Sequence, residues 1–479
     1  MRRGGVQKPN GDNVQIPILS GIYADSKPDL RTAFPRNMVP VPKPSGISEG
    51  YLRPADGIVQ FGTSPGIDRG GIEWNGVCYR VMGTKLVSID SLGTAAVLGD
   101  VGGAGQVSFD YSFDRICVAS GGNLYYYDGT TFTQVTDPDI GTVVDVVWVD
   151  GYFMTTDGEF LIVTELNNPL SVNPLKYGSS EADPDAVKAL LKVRNEVYAL
   201  NRHTVEVFDN VGGDLFPFAR IEGAQLQRGA VGTHAACIFS DAVAFVGGGR
   251  NEAISVWLGA NGQSTKLATR EIDEILSGYT ETQLQSVVVE SIVTKAHEFL
   301  YIHLPNQTLV FDGGASKASQ MPIWFVLTSG VSYYGQYRAR NFVYCYDKWL
   351  VGDPTSAVHG RMDSTVSTHY GQPTAWEFST DILYNESRGA IIHSLELVSL
   401  PGRNAIGTNP QIRTSYSLDG VTWSVEKPIN IGTVGSYSKR LVWFQQGAMR
   451  NWRIQRFKGS SDANLTVIRL EATIEALNV

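Results

Sequence analysis

The sequence predicts an all-β protein: a β-propeller of six or seven blades over 66–355, an extended arm over 1–65 and a separate C-terminal β-sandwich-like domain over 356–479. Three observations lead there. A short hairpin unit recurs through the middle of the chain. Glycine is abundant, at 51 of 479 residues, with 10% aromatics and only 18% charged residues, a composition of short strands and tight turns. Prolines crowd the first 60 residues, and the hairpin repeat fades after about residue 356.

The arm holds Pro9, Pro17, Pro28, Pro35, Pro40, Pro42, Pro44 and Pro54. Proline lacks a backbone donor and restricts its predecessor, so neither helix nor central strand is expected. Such an arm must lie on its own body or on a neighbouring subunit to be ordered.

The hairpin copies are 74–90, 113–129, 150–166, 194–210, 240–259, 297–313 and 340–353. Taking Asn75, Asp114, Asp150, Asn195, Asp241, His297 and Asn341 as equivalent gives spacings of 39, 36, 45, 46, 56 and 44. Alternating apolar strands around a short turn, repeated about every 40–50 residues, mark propeller blades. No hairpin buries its face alone; radial closure solves this and hides strand edges. The long interval before His297 carries a helical insertion near 269–285. Thr269 is its N-cap and Ile272, Ile275 and Leu276 share a face, with Thr280 and Gln283 forming a capping box for a second turn. Residues 184–191, after Asp183, fit helix or strand. Beyond 356, alternating segments at 374–400, 411–425, 439–458 and 464–477 read as sandwich strands.

The net charge of −9 excludes a basic protein with general affinity for nucleic acid. Residues 1–50 carry +3, residues 51–390 carry −16 and residues 391–479 carry +4. Partners at the two ends, or a solvated middle, both fit this pattern. Cys78, Cys117, Cys237 and Cys345 form no CxxC pair and read as buried free thiols. No apolar run is long enough for a membrane span, and the stretch from Val14 to Ile22 is short and interrupted by Pro17, so a soluble, cytoplasmically made chain is expected.

Motifs of chemistry are sparse. Ser417 to Trp423 resembles, one residue short, the Asp-box of sialidase-like propellers, a bracing turn and not a catalytic one. His297 and His303 share a strand face while Glu298 points away, which favours packing or hydrogen bonding over a metal site. Gly247-Gly248-Gly249 lacks the Lys-Ser/Thr of a phosphate loop and reads as a turn. Asp137/Asp139 and Asp183/Asp185 read as turn residues, not a calcium loop. No catalytic residue, metal site or cofactor is expected. One segment stands out: Lys439, Arg440, Arg450, Arg453, Arg456 and Lys458 interleave with Trp443, Phe444, Trp452 and Phe457, without an acidic residue. A solvated strand face, a subunit or partner interface, and direct DNA contact all fit it.

The order of several short motifs resembles the packaged-DNA-stabilisation, tail hub or nozzle, proteins of short-tailed bacteriophages. Arg36-Asn37-Met38, then Gly50-Tyr51-Leu52-Arg53-Pro54 and Gly57-Ile58, fit the family's arm, with Ala55-Asp56 one residue longer than its pattern. Gly103-Ala104-Gly105-Gln106-Val107-Ser108, Thr204-Val205-Glu206-Val207-Phe208, Gln227-Arg228-Gly229 and Ile272 to Thr280 follow in order. Ala296-His297-Glu298-Phe299-Leu300-Tyr301-Ile302-His303-Leu304-Pro305, then Leu309-Val310-Phe311-Asp312, is the most specific piece. The resemblance implies a non-enzymatic virion protein of the tail, made in the bacterial host cytoplasm. Six copies would form a ring below the portal and its adaptor, pass and retain double-stranded DNA without sequence readout, dock tail fibres or a tailspike, and insert in no membrane. An acidic lining of that ring would let DNA slide without sticking. The rival readings are a glycan-binding or glycan-cleaving propeller, marked by Arg and carboxylates at the propeller mouth, and a monomeric scaffold.

Overall fold

The computed structural model describes residues 11–19, 21–24, 30–43, 46–166, 168–386, 388–404 and 406–477. The chain forms two compact units. One comprises Val59–Leu309 and Gln336–Met362; the other comprises Met1–Ile58, Val310–Gly335 and Asp363–Val479.

The first unit is the propeller. Blade 1 is built from Asp68–Trp74, Val77–Met82, Lys85–Ile89 and Ala95–Asp100, paired in that order from the axis outwards. Blades 2, 3 and 4 repeat this from inner strands Ser108–Tyr111, Asp145–Val149 and Val187–Val193. Blade 5 places both Gly229–Ala230 and Ala236–Phe239 beside Ala242–Gly248. Blade 6 starts with the hairpin Val288–Thr294 and His297–His303, and blade 7 with Arg340–Cys345, Lys348–Gly352 and Val358–Asp363. The inner strands of the seven blades touch in sequence, and Arg340–Cys345 packs on Asp68–Trp74 to close the ring. The propeller is therefore seven-bladed. Gly57–Thr63, which precedes blade 1 in the chain, completes the seventh sheet, so the last blade takes its outer strand from the other end of the repeat.

Burial explains the closure. One core cluster joins Tyr79, Val81 and Leu86 of blade 1 to Ile116, Val118 and Tyr125 of blade 2. Similar clusters span blades 2 and 3, 3 and 4, 4 and 5, and 7 and 1. Each blade needs its neighbours to remove its apolar face from water.

The turn after each inner strand explains which repeats the sequence displays clearly. Asn75-Gly76 and Asp150-Gly151 place favourable residues at positive φ. Elsewhere Arg194, Ser240, Asp241, Lys295, Tyr346 and Asp347 take the left-handed conformation without the usual composition. The last repeat is consequently out of phase with the expected alignment. Asn341 lies within the inner strand, at a bulge, and the turn equivalent to Asn75-Gly76 is Tyr346-Asp347. The segment 340–353 is thus strands one and two of its blade, whereas the other six copies are strands two and three. The helix Arg270–Ser277 follows Thr269, and Glu281–Gln285 carries the Thr280–Gln283 capping box; both lie between blades 5 and 6, as expected. Residues Val187–Val193 are strand.

The second unit is a β-sandwich. One sheet runs Met38–Pro42, Gly50–Pro54, Thr466–Ala476, Ala390–Leu400, Leu441–Phe444, with Asp12–Ile16 also paired to Thr466–Ala476. The other runs Ala375–Ser379, Trp452–Ser460, Gln411–Ser417, Lys427–Asn430. Ile392, Leu395, Leu470, Trp376, Phe378 and Phe457 form the core between them. The described parts of the arm up to Ile58 belong to this unit, with Ile16, Ile18, Met38 and Leu52 in its core, while the arm from Val59 on belongs to the propeller unit. Contrary to the expectation that the arm holds no central strand, Gly50–Pro54 lies between Met38–Pro42 and Thr466–Ala476, while Met38–Pro42 is an edge strand. There the missing donors of Pro40 and Pro42 cost little. Asn37 adopts a positive φ of 51° beside it. Its amide donates to Ala375 O at 2.6 Å and its side-chain oxygen accepts from Thr328 N at 2.9 Å. The helix Gly313–Ser319, capped by Asp312, was not foreseen from the sequence.

Candidate functional surfaces

An inner propeller strand is the edge of its own sheet, so some of its N–H groups lack a ladder partner. In this propeller, carboxylates of the preceding blade supply acceptors. Asp110 accepts from Trp148 N at 2.5 Å, and Asp145 from Leu190 N at 2.8 Å and Val146 N at 2.9 Å. Glu290 accepts from Asn341 N and Phe342 N, both at 2.8 Å. The bulge and positive φ at Asn341 fall where these two successive N–H groups meet one carboxylate. Asp68 and Arg80 form a fully buried ion pair at 2.8 Å within blade 1, and Asn341 ties blade 7 to it: its side chain donates to Asp68 and its carbonyl accepts from Arg80 Nη2 at 3.0 Å. Arg69 donates to the Gly83 and Gly102 carbonyls at 2.8 and 2.6 Å and to Ser120 Oγ at 2.8 Å, tying blade 1 to blade 2.

Burial and these bonds set the titration of the group. Burial raises Asp145 to about 6 despite its hydrogen bonds, and it raises Asp110 as well. Burial also works to raise Glu290, but His303 at 2.8 Å and the two backbone donors outweigh it, and the carboxyl sits below its ordinary value. Burial lowers His234 to about 4 and lowers His303. Burial opposes the charge on Arg80, yet Asp68 outweighs it and holds the guanidinium protonated.

Two cavities, of about 620 and 360 Å³, lie along the axis and share Gln106, Thr233, His234 and Val288. Sequence reasoning missed the cluster of Arg69, Arg340, Asp68 and Glu290 around them. Its members come from blades 1, 6 and 7, and the single signal is a charged residue on an otherwise apolar inner strand. Glu290 is committed to neighbouring backbone and Asp68 to the Arg80 and Asn341 side chains, which makes both braces of the ring.

His303 is a hydrogen-bonding histidine: Nε2 faces Glu290 and Nδ1 lies 3.0 Å from Thr308 Oγ1. His297 stacks on Phe299, and Glu298 accepts from Ser240 at 2.6 Å. Among the described residues no cluster of three His, Cys, Asp or Glu could hold a metal ion. Asp419 accepts from Val421 N at 2.9 Å and Thr422 N at 2.7 Å, while Trp423 packs under Arg456, so the Asp-box-like segment is a braced turn. Asp137 caps the turn Pro138–Ile140, and Asp183 pairs with Arg250 at 2.8 Å. Gly247 and Gly248 end a strand instead of forming a turn, since they pair with Ala230 and Gly229. Among the described residues no helix is long and apolar enough to cross a membrane.

The basic segment does not form one patch. Lys439, Arg440 and Arg450 are exposed, and Arg440 forms a bidentate pair with Glu396. Arg453 points inward, fully buried, donating to Gln446 O at 2.6 Å and Gln455 Oε1 at 2.8 Å and covering the Tyr416 ring. Arg456 lies over Trp423, and Lys458 is 3.5 Å from both Glu377 and Glu426. Strand alternation divides the segment between core and surface.

A seven-bladed propeller with internally braced charges, joined to a β-sandwich that takes strands from both chain ends, defines a two-domain all-β protein. Two family models match it: "Bacteriophage P22 Gp10, beta-propeller" over residues 14–367 and "Bacteriophage P22 Gp10, beta-sandwich" over residues 375–475. The chain belongs to the bacteriophage P22 Gp10 family. It is 29% identical over 458 residues to the tail hub protein gp10 of Salmonella phage P22, covering 91% of this chain and 94% of that protein. Solved structures similar to it include the Neurospora crassa Pan2 WD40 domain, at 11% identity and a TM-score of 0.41, covering 64% of this chain and 95% of that one. PorZ of Porphyromonas gingivalis matches at 12% identity and a TM-score of 0.38, covering 78% and 46% of the two chains. Likeness at this level carries no argument about function.

Proposed function

We propose that this protein is a structural hub of a short phage tail. The observation that carries the reading is the family match over both domains, together with a relative of nearly the same extent that is a tail hub protein. In this reading six copies ring the channel below the portal and its adaptor. The ring extends the channel, retains packaged DNA, passes it at ejection and docks fibres or a tailspike. The role is non-enzymatic and needs no cofactor. The protein works in the virion tail after synthesis in the host cytoplasm. The acidic stretch 51–390, at −16, suits a channel wall that repels phosphate. Lys439 and Arg450 are the exposed members of the basic segment that suit contact with a subunit or partner.

Retention of DNA gives the test. Particles assembled without the protein are expected to package DNA and then lose it, and purified protein added back is expected to restore DNA-filled heads. Particles that hold DNA equally well without it contradict the proposal.

A further inference from the structure

The inner strands of the propeller share a pattern at one end. Each turns back into the second strand of its blade, and the last pair before the turn joins Trp74 with Val77, Ser112 with Arg115, Val149 with Tyr152, Val193 with Glu196, Phe239 with Ala242, Thr294 with His297 and Cys345 with Lys348. One residue earlier stand Glu73, Tyr111, Trp148, Lys192, Ile238, Val293 and Tyr344. Because the inner strands surround the axis, these equivalent positions ring one mouth of the propeller. Apart from Glu73 and Lys192 they are aromatic or aliphatic, and Tyr111, Ile238, Val293 and Tyr344 are between 42% and 67% exposed. Phe113, 90% exposed in the turn of blade 2, packs edge-on against Trp148 at 5.4 Å.

Single exposed apolar side chains are ordinary, but one register position exposed in blade after blade is a contiguous surface. The cavity of about 360 Å³ opens within this ring, since Lys192 and Ile238 line both. Asp110, Asp145 and Glu290 line it against the single ammonium of Lys192, whose Nζ lies over the Trp148 ring at 4.9 Å. Burial holds His234 down to about 4, so it adds no charge at neutral pH. Backbone donors fix the three carboxylates and leave them charged, and the throat is acidic. That charge disfavours nucleic acid and anionic ligands. The rim is wider than a small cation needs, and its Tyr, Trp and Phe are the residues of protein contacts.

We propose that this mouth of the propeller docks a loop of a protein partner that presents one Lys or Arg among apolar residues. The apolar neighbours cover the exposed rim of Tyr111, Phe113, Ile238, Val293 and Tyr344. The basic side chain enters the throat, drawn by the field of its carboxylates, while the backbone bonds of those carboxylates stay in place. The inference stands on the propeller alone and does not depend on the tail-hub reading.

The test selects a displayed library of randomised short cyclic peptides on the full chain, with counter-selection on the double variant Phe113→Ser, Tyr344→Ser. These side chains are exposed, so the variant is expected to melt with the wild type; Ile238→Ser with Val293→Ser is an independent second rim variant. The expected result is a set of rim-dependent peptides that carry Lys or Arg beside apolar residues. By fluorescence anisotropy their affinity is expected to fall about tenfold when the basic residue becomes Gln, and about tenfold in either rim variant. Three results overturn the proposal: no rim-dependent peptide, rim-dependent peptides that are acidic or bind equally well with Gln, and self-association of the wild type that the rim variants lose, which assigns the ring to a second copy of this chain.

Discussion

Carboxylates at the propeller centre accept N–H groups of the next inner strand, so their loss leaves those donors without a protein acceptor. Glu290→Ala removes the acceptor of Asn341 N and Phe342 N and the partner of His303. Leaving these N–H groups without their acceptor is expected to cost about 1–3 kcal/mol in urea unfolding of the propeller; an unchanged stability would show that the brace is dispensable. Asp145 makes a pH prediction. Its folded value, about 6, lies above its ordinary 3.8. The folded state thus binds the proton more tightly, and the group's stabilisation is full below about pH 4 and lost as pH rises through about 6. That shift corresponds to about 3 kcal/mol. The unfolding midpoint of Asp145→Asn, relative to the wild type, is expected to rise between pH 4 and pH 7. A difference that does not change with pH would contradict the assignment.

Elements test backbone geometry. A Cβ on Gly247 would lie 1.8 Å from Gly229 O, because the first short strand of blade 5 runs against it. Gly247→Ala is expected to destabilise the propeller by about 1–3 kcal/mol. Thermal unfolding checks this, and an unchanged midpoint would mean that the close strand approach is wrong. Elements were also where sequence legibility varied. The hairpins around Asn75-Gly76 and Asp150-Gly151 were readable because those residues favour the turn they form. The turn at Tyr346-Asp347 was not, because packing imposes its conformation on residues that do not signal it, and the last repeat slipped by one strand. Prolines made the arm look unpaired, because nothing in Met38–Pro42 says which strand will lie beside it. The axial braces were hidden for a similar reason. Asp68, Glu290 and Asn341 are more than two hundred residues apart at the extremes, and only ring closure brings them together. The basic segment was legible as composition but not as a surface, since alternation sends Arg453 to the core and Arg456 outward.

At the scale of the whole molecule, the family match gives both domains a common context, and the charge distribution is compatible with the proposed ring. The acidic stretch of one chain is modest; repeated around an axis it becomes a continuous field that disfavours phosphate contact. In the proposed ring the more basic ends, at +3 and +4, would suit contacts between subunits or with partners. The most direct measurement is negative-stain electron microscopy of the purified protein over a concentration series, alone and mixed with the portal–adaptor connector, counting rotational symmetry. The account predicts six-fold rings with an open axial channel, at least on the connector. Single disc-shaped particles at every concentration, beside connectors that stay bare, would contradict it.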